Sequence, residues 1–165
     1  MSTPVQTCVR WARRMPAESA GYSHRALIDK LGIKPGQRIS IVEAPIGFPA
    51  TLGELPAGVR RARELRGSID LIVFFALDAA RLARRIAALK RVLAPAGMLW
   101  LCWPKKSSAI ESDLDDSVVR GIGLAAGLVD VKVCAVDENW SGLKFVYRLR
   151  DRPKPVKPRR ARRTK

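Results

Sequence analysis

The sequence has few of the side chains from which metal sites and disulfide frameworks are built. Its 165 residues include three cysteines and one histidine. The odd cysteine count, with Cys102 and Cys134 inside apolar segments, argues against a disulfide framework. We interpret these two residues as small buried hydrophobic side chains. No close cysteine pair accompanies His24, and we therefore expect no metal site.

Long hydrophobic runs are also missing, since the longest apolar segments have only the length of a strand. The first 16 residues contain three arginines but no apolar run after them, which is not the pattern of a secretory signal. We therefore expect a bacterial-type cytoplasmic protein with no membrane contact. The hydrophobic fraction of 47% and the chain length fit one globular domain.

Familiar catalytic sets are absent from the sequence pattern. It shows no Ser-His-acid arrangement, no close pair of carboxylates and no Walker-type phosphate loop. His24 falls in the first turn of a predicted helix, where a surface or capping role is the simpler interpretation. The sequence names no catalytic residue and leaves open whether the protein is an enzyme.

Acidic residues are scarce, because 31 lysines and arginines face 15 aspartates and glutamates, a formal net charge of +16. Half of this charge lies in the last 16 residues, where prolines interrupt a basic run. Such a composition cannot bury apolar area, and it predicts a disordered basic tail over residues 151–165. The tail suits nonspecific binding to nucleic-acid phosphates, or it only aids solubility. The candidate nucleic-acid contacts are Arg159, Arg160, Arg162 and Arg163.

The strongest positive signal lies in residues 69–104, where two continuous apolar runs flank one amphipathic segment. Apolar runs of strand length indicate burial on both faces of a parallel sheet. Apolar residues recur at helical spacing from Leu82 to Leu93. Asp78 is placed to cap this helix, and Pro95 and Gly97 are expected to end it. The pattern predicts a strand–helix–strand unit.

The segments before this unit predict smaller elements. Residues 1–20 are expected to be loosely ordered. Ser23 is a candidate N-cap for a short helix that Gly32 ends. A first strand is predicted over residues 38–43. Residues 58–67 fit either a helical turn or a short edge strand, and we favour the strand because its arginines suit an exposed edge.

The segments after the unit predict one more helix and a hairpin. Ser112 and Asp115 resemble a capping box at the start of the helix, which glycines are expected to end. Strands are predicted over residues 128–136 and 143–149, the second antiparallel. We therefore predict an α/β domain over residues 21–150, with a small Rossmann-like, mostly parallel sheet, helices on both faces and a C-terminal antiparallel hairpin.

In such a sheet, ligands bind beyond the carboxyl ends of the parallel strands. The loops that meet this edge are rich in polar side chains, and converging polar groups indicate a binding site. The candidate ligand-binding residues are Glu43, Pro45, Gly47, Asp78, Lys105, Lys106, Ser107, Asp137, Glu138 and Trp140.

Each candidate also has a structural interpretation. Glu43 accepts from a ligand hydroxyl or pairs with Lys105. Lys105 and Lys106 bind a phosphate or carboxylate, or they belong to a solvated loop. Ser107 donates to an anion or only forms a turn. Trp140 stacks on a planar ligand or covers the core.

Two segments resemble class I S-adenosylmethionine-dependent methyltransferases. They are Ile33–Ile39 (Ile-Lys-Pro-Gly-Gln-Arg-Ile), which leads into the first strand, and Leu89–Leu99, which is similar to the connector before a later strand. The resemblance covers residues 22–149. It implies a Rossmann-like fold and S-adenosylmethionine as a candidate cofactor.

The chain departs from that family in its cofactor loop. Glu43 matches the leading acid, but Gly47 alone remains of the glycines that follow it. Glu64 is the candidate for the family's ribose-binding acid. Between Gly47 and Ile69 there is room for one short helix and one strand instead of two of each.

Three further segments resemble a bacterial family of unknown function with a small Rossmann-like domain. This resemblance implies a fold and a set of edge loops, without a substrate. The segments are Tyr22-Ser23-His24-Arg25, Trp103–Ser108 and Lys132–Leu143.

These observations leave three functional hypotheses. The first is a degenerate, non-catalytic methyltransferase-like domain that binds an anionic small ligand or a protein partner at the carboxyl edge of its sheet. The second is a reduced-size S-adenosylmethionine-dependent methyltransferase. The third is a nucleic-acid-associated protein that uses its basic tail.

Overall fold

A computed structural model of the protein describes residues 26–154. The predicted N-terminal segment 1–20, His24, the candidate cap Ser23 and tail residues 155–165 lie outside this range. In chain order the elements are α1 (Leu27–Leu31), β1 (Arg38–Val42), α2 (Phe48–Leu52), β2 (Arg60–Arg61), β3 (Ile69–Phe75), α3 (Ala79–Val92), β4 (Leu93–Pro104), α4 (Asp116–Ala125), β5 (Leu128–Ala135), β6 (Trp140–Tyr147) and a 3₁₀ turn (Leu149–Asp151).

Within residues 26–154, six strands form one sheet in the order β2-β1-β3-β4-β6-β5. The pairs among β2, β1, β3 and β4 are parallel, whereas β6 runs antiparallel to both β4 and β5. Strand β5 therefore points in the same direction as the parallel strands. This topology confirms the predicted α/β fold with a mostly parallel sheet and an antiparallel C-terminal hairpin.

Two apolar layers cover the sheet. Helices α3 and α4 pack on one face around Phe74, Leu89 and Phe145. The short helices α1 and α2 pack on the other face, around Phe75 and Trp100. The indole N–H of the buried Trp100 donates to the carbonyl of Leu31 at 2.9 Å, which fixes α1 on the sheet.

The predicted strand–helix–strand unit is β3–α3–β4. The Asp78 carboxylate caps α3 by accepting a hydrogen bond from the Arg81 backbone N–H at 2.7 Å. Pro95 and Gly97 do not end the helix, contrary to the prediction, because α3 stops at Val92 and β4 begins at the next residue. They lie where the register between β3 and β4 shifts. An irregularity of this kind tolerates a residue without an N–H.

The predicted starts of α1 and α4 need correction. Helix α1 begins after Ala26, which offers no side-chain cap, and ends at Gly32 (φ +80°) as predicted. The cap of α4 is Asp115, whose carboxylate accepts from the Val118 N–H at 3.0 Å. Ser112 does not form a capping box with it, because the Ser112 hydroxyl donates to the Leu77 carbonyl instead.

The end of α4 agrees with the prediction that the helix stops around Gly121, Gly123 and Gly127. The helix continues through Gly121 and Gly123 to Ala125, and the chain turns at Gly127 with φ +79°. Close packing against the sheet requires a glycine at 123, so this residue serves the packing and does not end the helix.

The edge strand favoured for residues 58–67 is present but contains only two residues. Arg60 and Arg61 pair with Arg38 and Ile39 of β1, and the strand ends beside the first half of β1. Strand β6, which lies between β4 and β5, begins at Trp140 and not at Leu143, since Trp140 already pairs with Pro104.

Among the described residues, no helix combines the length and the apolar character needed to cross a bilayer.

Candidate functional site

The carboxyl ends of β1, β3, β4 and β5 lie at one edge of the sheet, and the loops that follow them meet there. The loop after β4 is tied to the β5–β6 hairpin, because the Lys105 N–H donates to the Asn139 carbonyl at 2.7 Å. The loop after β3 is tied to residues 112–113 by the Ser112 hydroxyl and by the Asp113 carboxylate, which accepts from the Ala79 N–H at 2.8 Å. Hydrogen bonds between the loops therefore hold them together at this edge.

A cleft of about 450 Å³ opens at this edge, beyond the ends of β1 and β3. Four of the predicted site residues line it, together with four residues that sequence reasoning missed. The lining residues are Glu43, Pro45, Phe75, Leu77, Asp78, Arg81, Ile110 and Trp140.

Glu43 is the first residue after β1 and has a left-handed backbone, φ +57°. Its carboxylate accepts a hydrogen bond from the Arg81 Nε at 2.7 Å, and the Arg85 Nε lies 3.8 Å away. Both arginines project from α3. The predicted pair of Glu43 with Lys105 is therefore wrong, whereas the predicted ligand-binding role of Glu43 stays a prediction. The bond to Glu43 raises the pKa of the Arg81 guanidinium above its ordinary value.

Trp140 forms one wall of the cleft and is buried. Its ring centroid lies 5.0 Å from that of Phe75, edge to face, and Phe75 makes a similar contact with Phe48 at 4.7 Å. The packing agrees with the core interpretation of Trp140. Phe75 and Trp140 nevertheless give the cleft an aromatic side.

The carboxylates of Asp78 and Asp137 both accept hydrogen bonds from nearby backbone N–H groups. Asp78 caps α3, while the Asp137 carboxylate accepts from the backbone N–H groups of Asn139 and Trp140, both at 2.8 Å. Asp137 therefore shapes the β5–β6 turn, and only Asp78 also lines the cleft. The neighbouring Glu138 is exposed.

Lys105 and Lys106 lie along a second hollow of about 450 Å³, bounded by residues 104–106 and 108–115. The Lys105 ammonium donates to the Asp137 carbonyl at 2.6 Å, and the Lys106 ammonium lies 3.7 Å from the Asp115 carboxylate. The turn is held by Ser108, whose hydroxyl donates to the Lys105 carbonyl, whereas Ser107 is exposed. These lysines thus have intramolecular partners outside the cleft.

Two further residues with expected roles lie away from the cleft. Gly47 is exposed at the start of α2. Glu64, the candidate ribose-binding acid, follows the two-residue strand β2 and pairs with Arg66 at 3.0 Å. Because β2 ends beside Ile39, its carboxyl end does not reach the edge where Glu43 lies. Within residues 26–154, no three metal-ligating side chains lie together.

Of the missed residues, Arg81 had a signal in the sequence. It lies three positions after the cap Asp78, in the first turn of α3, and the first turn after a parallel strand faces the carboxyl edge. Phe75 is the last residue of β3 and lies within an apolar run that indicated burial alone. No sequence pattern indicated that Ile110 lines the cleft, because its position depends on the path of a loop.

The chain has a methyltransferase-like Rossmann fold, as comparison with solved structures shows. A SAM-dependent methyltransferase from Aquifex aeolicus is 17% identical, with a TM-score of 0.53; the match covers 72% of this chain and 86% of that one. A magnesium protoporphyrin IX methyltransferase from Synechocystis, with bound SAH, is 12% identical with a TM-score of 0.51, over 74% and 80% of the two chains.

A ribosomal-protein methylase from Lactobacillus delbrueckii subsp. bulgaricus is 15% identical, with a TM-score of 0.52 over 73% of this chain and 74% of that one. At such identities the likeness shows the fold alone. No protein-family model and no curated protein matches the sequence. The resemblance to a bacterial family of unknown function therefore gains no support from these comparisons.

Proposed function

We propose that the protein is a non-catalytic binding domain on a methyltransferase-like fold, and that it takes a small planar anionic ligand into the cleft between Glu43 and Trp140. The observation that carries this proposal is the position of the Arg81 guanidinium, which lines an aromatic-walled cleft at the carboxyl edge. A protein partner at the same edge is the alternative occupant.

The chemistry of the cleft supports a ligand with a flat apolar part and an anionic group. Phe75 and Trp140 supply the aromatic part of the lining, although both are buried and expose only a small area to a ligand. Within the described part of the chain, Arg81 uses only its side-chain Nε, for Glu43, and a guanidinium carries four more N–H donors in a planar fork. Such a fork binds carboxylate or phosphate in a bidentate manner.

Three features argue against tight binding of S-adenosylmethionine. The acid that matches the family's loop, Glu43, is neutralised by arginines of α3. Pro45 offers no backbone N–H to a ligand. Glu64 lies outside the cleft and pairs with Arg66.

Thermal-shift titration with a panel of mononucleotides and aromatic carboxylates tests the proposal. A ligand at one hundred times its Kd stabilises the native state by about 2.7 kcal/mol. Arg81→Gln should weaken binding about tenfold or more, since a hydrogen bond to a charged group contributes about 1.5–3 kcal/mol. Arg84→Gln is the matched control, because Arg84 is an exposed arginine of the same helix outside the cleft.

Glu43→Gln gives a second arm, because it removes the carboxylate that competes for Arg81 and should tighten binding of an anion. An identical shift in the wild type, Arg81→Gln and Glu43→Gln would contradict the proposed site. So would a panel in which no anionic ligand changes the melting temperature.

A reduced-size methyltransferase is the second candidate, supported by the methyltransferase function of the three fold neighbours. Isothermal titration with S-adenosylmethionine and S-adenosylhomocysteine separates the two proposals. Micromolar binding that Trp140→Ala abolishes would favour the methyltransferase. The absence of heat at millimolar ligand would remove it.

A further inference from the structure

A second cleft, of about 630 Å³, lies at the opposite, amino edge of the sheet, where β3 and β4 begin. Apolar side chains such as Leu65 and Leu93 line part of it. Three cationic residues, Arg66, Arg91 and Lys154, also line it. The cleft therefore combines a hydrophobic surface with positive charge.

These cations are available to a partner. Arg91 is exposed in the last turn of α3, and within residues 26–154 it forms no ion pair or side-chain hydrogen bond. Among the described residues Arg66 pairs only with Glu64, and both side chains are mostly exposed, at 83% and 68%, so this pair contributes little to stability. Lys90 differs, because its ammonium donates to the Ala126 carbonyl at 2.6 Å.

Charge is divided between the two edges of the sheet. The amino edge has acids too, but Asp70 accepts the Arg38 N–H at 2.8 Å and Asp151 lies 3.8 Å from Arg150. The loops at the opposite, carboxyl edge hold more acids than cations, since only Lys105 and Lys106 offset them, and the Arg81 guanidinium offers local positive charge for a small anion there. A polyanion is therefore attracted more strongly to the amino edge. The acids of the loops at the carboxyl edge are Glu43, Asp78, Glu111, Asp113, Asp115, Asp137 and Glu138.

The chain itself extends this positive charge. Pro153 and Lys154, the last described residues, line the cleft. The following residues 155–165 contain six lysines and arginines and no acid. The described chain therefore ends at the basic cleft, and the sequence that follows is basic as well.

We propose that the amino edge of the sheet binds the phosphate backbone of nucleic acid through Arg66, Arg91 and Lys154. The contact is electrostatic and independent of base sequence, because the ammonium and guanidinium groups of these side chains lie at the rim of an open cleft and contact phosphates. The surface lies at the edge opposite the ligand cleft, so it does not depend on the function proposed there.

Fluorescence anisotropy of a labelled mixed-sequence DNA duplex, titrated with the full chain at several salt concentrations, tests this proposal. Each phosphate contact contributes about −0.9 to the slope of log K against log salt. Arg66→Gln/Arg91→Gln should therefore reduce the slope by about 1.8 and weaken binding at low salt. The control Arg84→Gln/Lys132→Gln removes the same charge from exposed positions outside the cleft. It should reduce the slope by less than Arg66→Gln/Arg91→Gln does.

Glu64→Gln should change the affinity for DNA in the opposite direction. It removes the carboxylate that competes for Arg66 and should tighten binding severalfold, whereas a purely structural role of the pair predicts no gain. Melting curves of all variants report whether the fold is kept.

The outcomes that overturn the proposal are distinct. If Arg66→Gln/Arg91→Gln keeps the wild-type slope while Arg159→Gln/Arg160→Gln/Arg162→Gln/Arg163→Gln abolishes binding, the tail acts alone. If the protein binds vesicles of anionic phospholipid but not the duplex, the partner is a membrane surface. If Arg84→Gln/Lys132→Gln lowers the slope as much as the cleft variant, only net charge matters.

Discussion

Gly123 of α4 lies against the aromatic ring of Phe145 in β6, so closely that a Cβ atom at position 123 would overlap the ring. This contact lets α4 approach the hairpin that joins the parallel part of the sheet to its antiparallel edge. Two residues upstream, Gly121 is exposed and its Cβ position is open space. The two glycines have the same helical backbone and opposite surroundings.

We expect Gly123→Ala to lower the free energy of unfolding by about 1–3 kcal/mol, because the added methyl group overpacks a buried contact. Gly121→Ala should raise it by about 0.5–1 kcal/mol, since alanine loses less backbone entropy in a helix. Urea unfolding followed by circular dichroism measures both. Equal effects of the two substitutions would contradict the packing described for α4.

Glu43 combines a left-handed backbone with an ion pair, and two substitutions separate these contributions. Both Glu43→Gly and Glu43→Ala remove the pair with Arg81, but only glycine adopts φ +57° without steric cost. The glycine variant should therefore be more stable than the alanine variant by about 1 kcal/mol. An alanine variant as stable as the glycine variant, by thermal melting, would argue against this backbone conformation.

The cap Asp115 should make stability depend on pH in the acid range. The hydrogen bond from the Val118 N–H, and then the nearby Lys106, lower the pKa of this carboxyl in the folded state below its ordinary value of 3.8. Its contribution is thus fully present above pH 3.8 and is lost as the pH falls through the lower folded value.

Asp115→Asn keeps a capping side chain but cannot titrate. The difference in unfolding free energy between the wild type and this variant should shrink on acidification below pH 3.8. A difference that stays constant over the acid range would show that the charge of Asp115 does not stabilise the helix.

The two described cysteines should differ in reactivity. Burial raises the pKa of the Cys102 thiol well above its ordinary value, and burial also raises the pKa of the half-buried Cys134. In a Cys8→Ser background, a thiol reagent should label Cys134 slowly in the native protein and Cys102 only after unfolding. Mass spectrometry of the labelled peptides identifies the sites, and rapid native labelling of Cys102 would contradict its burial.

Local patterns predicted the elements with the strongest periodicity. The apolar run of β3, the amphipathic face of α3 and the cap Asp78 are visible in the sequence, because each depends on residues a few positions apart. Element ends were less predictable. Pro95 was expected to end a helix, but the register shift that accommodates it in β4 depends on pairing with β3.

The candidate site was likewise predictable only where it depends on the local sequence. Glu43, Pro45, Asp78 and Trp140 were named from their positions after strands, and the structure places all four at one cleft. The partners of Glu43 were not predicted, because Arg81 and Arg85 are distant in sequence and reach it only when α3 packs on the sheet. Lys105 likewise donates a hydrogen bond to the Asp137 carbonyl and does not pair with Glu43, because the pairing of β4 with β6 brings it beside Asp137.

By itself, the sequence determined the order of strands and helices and the concentration of positive charge at the end of the chain. Hydrophobic period and composition are local properties, and they are the same in any tertiary arrangement. Only the tertiary structure decided that Glu43 is neutralised by α3, that β2 stops short of the cleft and that the basic tail leaves beside Arg66 and Arg91. Those relationships join residues far apart in the chain, and the packing of helices on the sheet brings them together.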